Sequence, residues 1–80
     1  MQNPLKKLYQ DCQSIEDYET RRAVDFIINS SEVNADDTIS EGAAPEAWNA
    51  IAIGTIEFQL ASGEYPAQVI RFFTSRGISF

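Results

Sequence analysis

The stretch Pro45–Leu60, Pro-Glu-Ala-Trp-Asn-Ala-Ile-Ala-Ile-Gly-Thr-Ile-Glu-Phe-Gln-Leu, decides the fold class. Pro45 suits the first helical position, where no intrahelical bond needs its missing N–H. Glu46 follows where the positive end of the helix dipole favours an acid. Trp48, Ile51, Ala52, Thr55 and Phe58 then mark one side of a helix, and Ile53, Ile56 and Leu60 mark another. A helix apolar round most of its circumference is central in its fold or shared with a partner. A strand over Ile51–Ile56 is the competing reading, and its alanine content argues against it. Gly54 costs about 1 kcal/mol of helix propensity relative to alanine. Close approach of another backbone is the expected compensation, and Gly63 is expected to end the helix from the C′ position.

Downstream, a last helix restarts at Pro66, with Val69, Ile70 and Phe73 at helical spacing and Phe72 beside them. Gly77 ends it and Ile78-Ser79-Phe80 forms an apolar tail. Upstream, residues 30–43 are rich in Ser, Asn, Asp and Thr, side chains that compete with the backbone for hydrogen bonds, and read as a long loop. Thr38 and Glu41 have capping-box spacing, so one helical turn is expected to interrupt it.

A second helix is expected to start after Ser14, which with Asp17 resembles a capping box. Glu16, Asp17 and Glu19 support it through the dipole. Val24, Ile27 and Ile28 form its apolar face, with Tyr18 and Phe26 at the edges, and it is expected to end near Asn29. A first helix starts at Asn3-Pro4 and carries Leu5, Leu8, Tyr9 and Cys12 on one stripe. The sequence permits the first two helices to be separate or continuous. The expectation is an all-α single domain over residues 1–80: a compact bundle of about four short helices, with a longer acidic loop between helices two and three.

Eighty residues suffice for one domain and not for two. The 44% apolar content and nine aromatics can supply the dense core that a small chain needs. With a single cysteine no intrachain disulfide can form, which suits a reducing compartment. The first residues, Met-Gln-Asn-Pro-Leu-Lys-Lys, lack the apolar run of a signal peptide, and no stretch reaches the ~20 apolar residues of a membrane span. A cytoplasmic location is expected.

The net charge of −6 is unevenly placed. Residues 16–46 hold nine acids (Glu16, Asp17, Glu19, Asp25, Glu32, Asp36, Asp37, Glu41 and Glu46) against Arg21 and Arg22, while residues 47–80 balance two acids with two arginines. Such a field repels nucleic-acid backbones and anionic membranes and attracts basic partners.

Histidine is absent, which removes Ser-His-Asp and Cys-His catalysis and the commonest zinc ligand. One cysteine excludes a thiolate metal site within one chain. The four glycines stand far apart, and none precedes the Lys-Ser or Lys-Thr pair of a phosphate-binding loop. No enzyme, cofactor or metal is expected. Cys12 lies on an apolar stripe and reads as a small hydrophobe. Ser30, Glu32, Asn34, Asp36 and Glu41 imitate the ligand spacing of a calcium loop, but Ser30 and Ala35 occupy positions that call for Asp and Gly. Arg21-Arg22, Arg71 and Arg76 are too few for a nucleic-acid footprint and read as ion-pair partners, Asp17 with Arg21 among them.

Two surfaces are left as candidates for binding a protein partner. One is the acidic set Glu16, Asp17, Glu19, Glu32, Asp36, Asp37 and Glu41, which on a rigid face can imitate a phosphate backbone. The other is aromatic, Trp48 and Phe72, if the short helices cannot absorb every large side chain. The functional expectation is an acidic inhibitor or modulator that occupies a basic surface of a nucleic-acid-handling partner. Phage anti-defence proteins, anti-CRISPR inhibitors among them, and bacterial toxin-immunity proteins share this profile of size and charge, though no motif identifies either. The alternative is a structural or adaptor module that homo-oligomerises through helix three and the C-terminal aromatics.

Overall fold

The computed structural model describes residues 4–39 and 42–80. Four helices account for their regular structure: α1 Pro4–Cys12, α2 Tyr18–Thr38, α3 Pro45–Ser62 and α4 Ala67–Thr74. No strand occurs among the described residues, so the all-α bundle stands as expected.

In α1, Leu5, Leu8 and Cys12 are buried at the expected spacing. The chain then leaves the helix through a tight turn, with the Ser14 and Ile15 amides donating to the carbonyls of Asp11 and Cys12. The first two helices are therefore separate. The cap of α2 is Asp17 and not Ser14: its extended backbone lets the carboxylate accept from the Thr20 amide at 2.9 Å and from the Thr20 hydroxyl. Those two bonds stabilise the charged form and hold the Asp17 carboxyl below its ordinary value.

The main correction concerns α2, which continues through Thr38 instead of ending near Asn29. The stretch read as the start of a long acidic loop is helical, and the connection between α2 and α3 is short. Val24, Ile27, Ile28, Ser31 and Ala35 are buried on one continuing helical stripe. Burial of that stripe against α3 outweighs the weak propensity of Ser30-Ser31 and Asp36-Asp37-Thr38. The hydroxyls that seemed to disfavour a helix are accommodated within it. Ser31 Oγ donates to the Ile27 carbonyl at 2.7 Å, and Thr38 Oγ1 donates to the Ala35 carbonyl at 3.1 Å. Thr38 thus closes a helix rather than starting a turn, and Glu41, its supposed capping partner, lies outside the described residues.

α2 is also the hub of the bundle, packing on each of the other three helices, a role the sequence suggested for α3. On α3 the buried side chains are Ala52, Ile56 and Leu60, with Trp48 and Ile53 partly packed against the core. Ile51 and Phe58, grouped by spacing with Trp48 and Ala52, instead turn outward. The helix ends at Ser62 as expected, but Gly63 has φ −106°, so a left-handed cap is not what requires glycine. A Cβ there would lie 2.5 Å from Tyr65 Cε2. Glycine makes room for that ring.

α4 begins at Ala67, with Pro66 as the preceding cap residue, and buries Val69, Phe72 and Phe73. Here a left-handed residue does end the helical segment. Gly77 has φ +84°, and the Ile78 amide returns to the Phe73 carbonyl at 3.2 Å. The reversal delivers Ile78 into the core shared by all four helices. No helix among the described residues is long and apolar enough to cross a membrane.

Candidate functional site

Continuity of α2 through Thr38 creates a surface that a loop would not have. Successive residues turn by about 100° along the helix, so the outward face opposite Val24, Ile28, Ser31 and Ala35 carries Arg22, Phe26 and Val33. All three are exposed, Phe26 at 65% and Val33 at 62%. Tyr18 begins the same stripe, also exposed, with Arg21 held over its ring at 5.7 Å. Tyr18, Glu19, Arg22, Ala23, Phe26 and Tyr65 line a shallow cleft of about 410 Å³. The stripe is bordered by exposed acids: Glu32 and Asp36 on one flank, Glu19 and Asp37 on the other. From Glu19 to Asp37 this surface runs about 27 Å along the helix axis.

Asp36 and Asp37 stand out electrostatically. Both lie in the last turn of α2, where the carbonyl end of the helix dipole is negative and favours cations. No basic residue occupies that turn, and neither aspartate forms an ion pair among the described residues. Asp37 and Asp36 therefore sit where the helix itself disfavours them.

The other acids of the expected set have different circumstances. Glu16 is exposed in the connection before α2, and Asp17 is engaged as its cap. The expected Asp17–Arg21 ion pair is replaced by that capping bond and by the contact of Arg21 with Tyr18. Glu32 has an internal partner: the Tyr9 hydroxyl lies 2.7 Å from both Glu32 Oε2 and Asn29 Oδ1. A phenol has one proton to donate, so it serves these two acceptors in turn or shares between them. Partial burial, followed by the hydrogen bond to Glu32 and then the charge of Glu32, raises the Tyr9 pKa well above 10.0. Glu41 lies outside the described residues.

The aromatic candidates divide. Trp48 is half-buried and borders a cleft of about 300 Å³ with Leu5, Glu32, Pro45 and Asn49, so it shares that cleft with one of the acids. Phe72 is a correction: it is only 7% exposed and cannot anchor a partner. Its ring meets Phe73 edge-on at 5.1 Å, and the Arg76 guanidinium covers it at 3.9 Å. Arg76 also donates from Nε to Asp11 at 2.9 Å, while Lys7 donates to the other oxygen of that carboxylate at 2.9 Å. The bonds from Lys7 and Arg76 hold the Asp11 carboxyl below its ordinary value.

Phe26, Val33, Ile51 and Phe58 are exposed apolar side chains that the residue patterns did not single out as surface. The signal for the first two was available: continuing the stripe from Val24 to Ala35 places Val33 seven residues after Phe26 on the opposite face. The same geometry disposes of the calcium-like spacing. Ser30, Glu32, Asn34 and Asp36 are alternate helical positions, each rotated about 200° from the last, and do not converge. Among the described residues no three His, Cys, Asp or Glu side chains are grouped as for a metal ion. Cys12 is fully buried, its thiol donating to the Arg21 carbonyl at 3.4 Å, and burial pushes its pKa up. It is placed as an inert hydrophobe.

Comparison of the chain with protein-family models, with curated proteins and with solved structures finds no match.

Proposed function

We propose that this chain is a protein-binding inhibitor or modulator that docks the outer surface of α2 onto a basic surface of its partner. A nucleic-acid-handling protein is the partner class whose groove has the required chemistry, since it is built to accept regularly spaced negative charge next to flat apolar rings. The observation that carries the reading is the position of Asp36 and Asp37 at the negative end of α2. A local arrangement that costs folding stability is a mark of a surface kept for another purpose. A lysine or arginine of a partner placed there would neutralise the aspartates and complement the dipole at once.

Val33 and Phe26, next along the same face, supply the apolar contact that charge alone lacks. Aromatic side chains in the middle of an interface hold a complex, while peripheral charges speed its formation in a salt-dependent way. The mode of action is occupation of a surface, without chemistry. An acidic helix of this kind would compete with nucleic acid for its partner, as expected of an anti-defence or immunity-type protein.

The test begins with capture of partners from the native host and measurement of the isolated pair. Asp36→Asn/Asp37→Asn is expected to slow association at least tenfold at low salt, and Phe26→Ser to speed dissociation. A partner that binds with unchanged affinity when Glu19, Asp36 and Asp37 are all neutralised would overturn the reading.

A further inference from the structure

The outward face of α3 differs from that of α2 in having no charge along its centre. Opposite the buried Ala52, Ile56 and Leu60 lie Ala47, Ala50, Ile51, Gly54, Phe58 and Ala61, all exposed. Phe58 is 72% exposed, the highest value for a large apolar residue in the chain's described part. Gly54, which the sequence suggested would be compensated by a neighbouring backbone, has nothing within 4 Å of the position of a Cβ. The cost of a glycine in mid-helix is met by no contact among the described residues.

We infer that this face takes a second copy of the chain, with the two α3 helices antiparallel and related by a two-fold axis through Gly54. Gly54 is at the midpoint of α3. An axis there sets residue 54−n of one copy over residue 54+n of the other. Ala47 (seven before) then meets Ala61 (seven after), and Ala50 (four before) meets Phe58 (four after). The match holds around the helix as well as along it. Phe58 lies about 40° to one side of the line through Gly54, and the two-fold rotation keeps it on that side, over the hollow between Ala47, Ala50, Ile51 and Gly54 of the other copy. Each Phe58 ring therefore enters a hollow bounded mainly by small residues, twice per dimer. This is the self-complementarity that an isologous contact requires. Glycine at the crossing point lets the two backbones approach closely, which supplies the compensation missing within the monomer.

Charge selects the same occupant. Copies of a chain with a charge of −6 repel one another over most approaches. The centre of this α3 face carries no acid, and the Glu57 side chains of the two copies stay at one edge of the contact, beside Ala50 and about 9 Å apart along the helix axes. A basic partner would find nothing here to neutralise.

The experiment measures molecular mass by light scattering and sedimentation from micromolar to millimolar concentration, for the intact chain and for Phe58→Glu. The intact chain is expected to pass from monomer to dimer. Phe58→Glu is expected to stay monomeric with an unchanged helical circular-dichroism spectrum, and a misfolded product is caught by that spectrum. For Phe58→Glu that misfolds, Ala50→Glu, which is also exposed, provides the same test. Register is read by oxidative crosslinking in a Cys12→Ser background. Ala47→Cys mixed with Ala61→Cys should give covalent dimers of the two variants, whereas Ala47→Cys alone, with its sites about 21 Å apart, should not. A chain that is monomeric at every concentration overturns the inference, and so does self-crosslinking of Ala47→Cys. Loss of the dimer leaves the α2 docking measurement intact, so the two proposals fail separately.

Discussion

The side-chain amide of Gln59 on α3 donates to the hydroxyl of Ser31 on α2 at 2.8 Å, and Ser31 in turn donates to the Ile27 carbonyl. Ser31 is the one buried polar side chain among the described residues, and this bridge satisfies it. The contact between α2 and α3 is thereby given a polar bond that can form in one register. A sliding of α3 by a single turn would leave the amide and hydroxyl unpaired, which costs more than an apolar mismatch.

Ser31→Ala removes the acceptor and leaves the Gln59 amide half-buried without its partner. The expected loss is about 1 kcal/mol, a fall in melting temperature of roughly 4–8 °C for a domain of this size. In the double variant with Gln59→Leu no donor is left unpaired, so its loss should be smaller than the sum of the single losses. Urea denaturation of the four proteins in the cycle checks both statements.

Asp11 makes stability depend on pH at the acid end. Its carboxyl is held below the ordinary value of 3.8 by Lys7 and Arg76, so its ionised form favours the folded state. The contribution is complete above the unfolded value, declines as the pH falls below it, and disappears below the lowered native value. The difference in urea midpoint between the intact chain and Asp11→Asn should therefore be constant near neutrality and shrink as the pH falls below 3.8. Added salt should reduce it, because Lys7 and Arg76 remain partly in contact with water.

Tyr9 sets the opposite limit. Burial and the Glu32 carboxylate favour its neutral phenol, so the fold gains from Tyr9 below its ordinary value of 10.0 and loses that gain as the pH rises towards the raised native one. Tyr9→Phe should flatten the alkaline fall in stability. It should also remove a late step from the tyrosinate absorbance titration, one that persists if the phenol is not held by this pair.

Glycines 63 and 77 should respond differently to alanine. Gly77→Ala meets no obstruction and suffers only from its positive φ, a loss of about 1 kcal/mol that no neighbouring substitution repairs. Gly63→Ala has an ordinary φ but collides with Tyr65. Its thermal stability should recover, relative to the single tyrosine variant, when Tyr65→Ala is added.

Helix existence was readable wherever the apolar spacing was strong, as in Leu5-Leu8-Cys12 and across Pro45–Leu60. It was misread at residues 30–38, where Ser31 and Ala35 continue the buried stripe without looking apolar. A small buried serine bonded to its own helix is indistinguishable in sequence from a loop serine; the α3 amide that satisfies it lies 28 residues away. Phe72 was misplaced for a related reason. Adjacent aromatics on a short helix usually point apart, and here both are buried, Phe72 being covered by Arg76. The acids are legible as a group, but the placing of Glu19, Glu32, Asp36 and Asp37 on the two flanks of one apolar stripe depends on the length of α2.

The Arg76–Asp11 contact closes the bundle between residues 65 apart in sequence. Chain entropy makes such a contact late and expendable, whereas α2 and α3 are neighbours joined by a short connection and can pair early. Folding should accordingly proceed from an α2–α3 hairpin, with α1 and α4 latched on last. The same order run backwards describes native breathing. Amide exchange should be fastest in α1 and at the end of α4, while the two helices that carry both proposed contact surfaces stay paired through every partial opening.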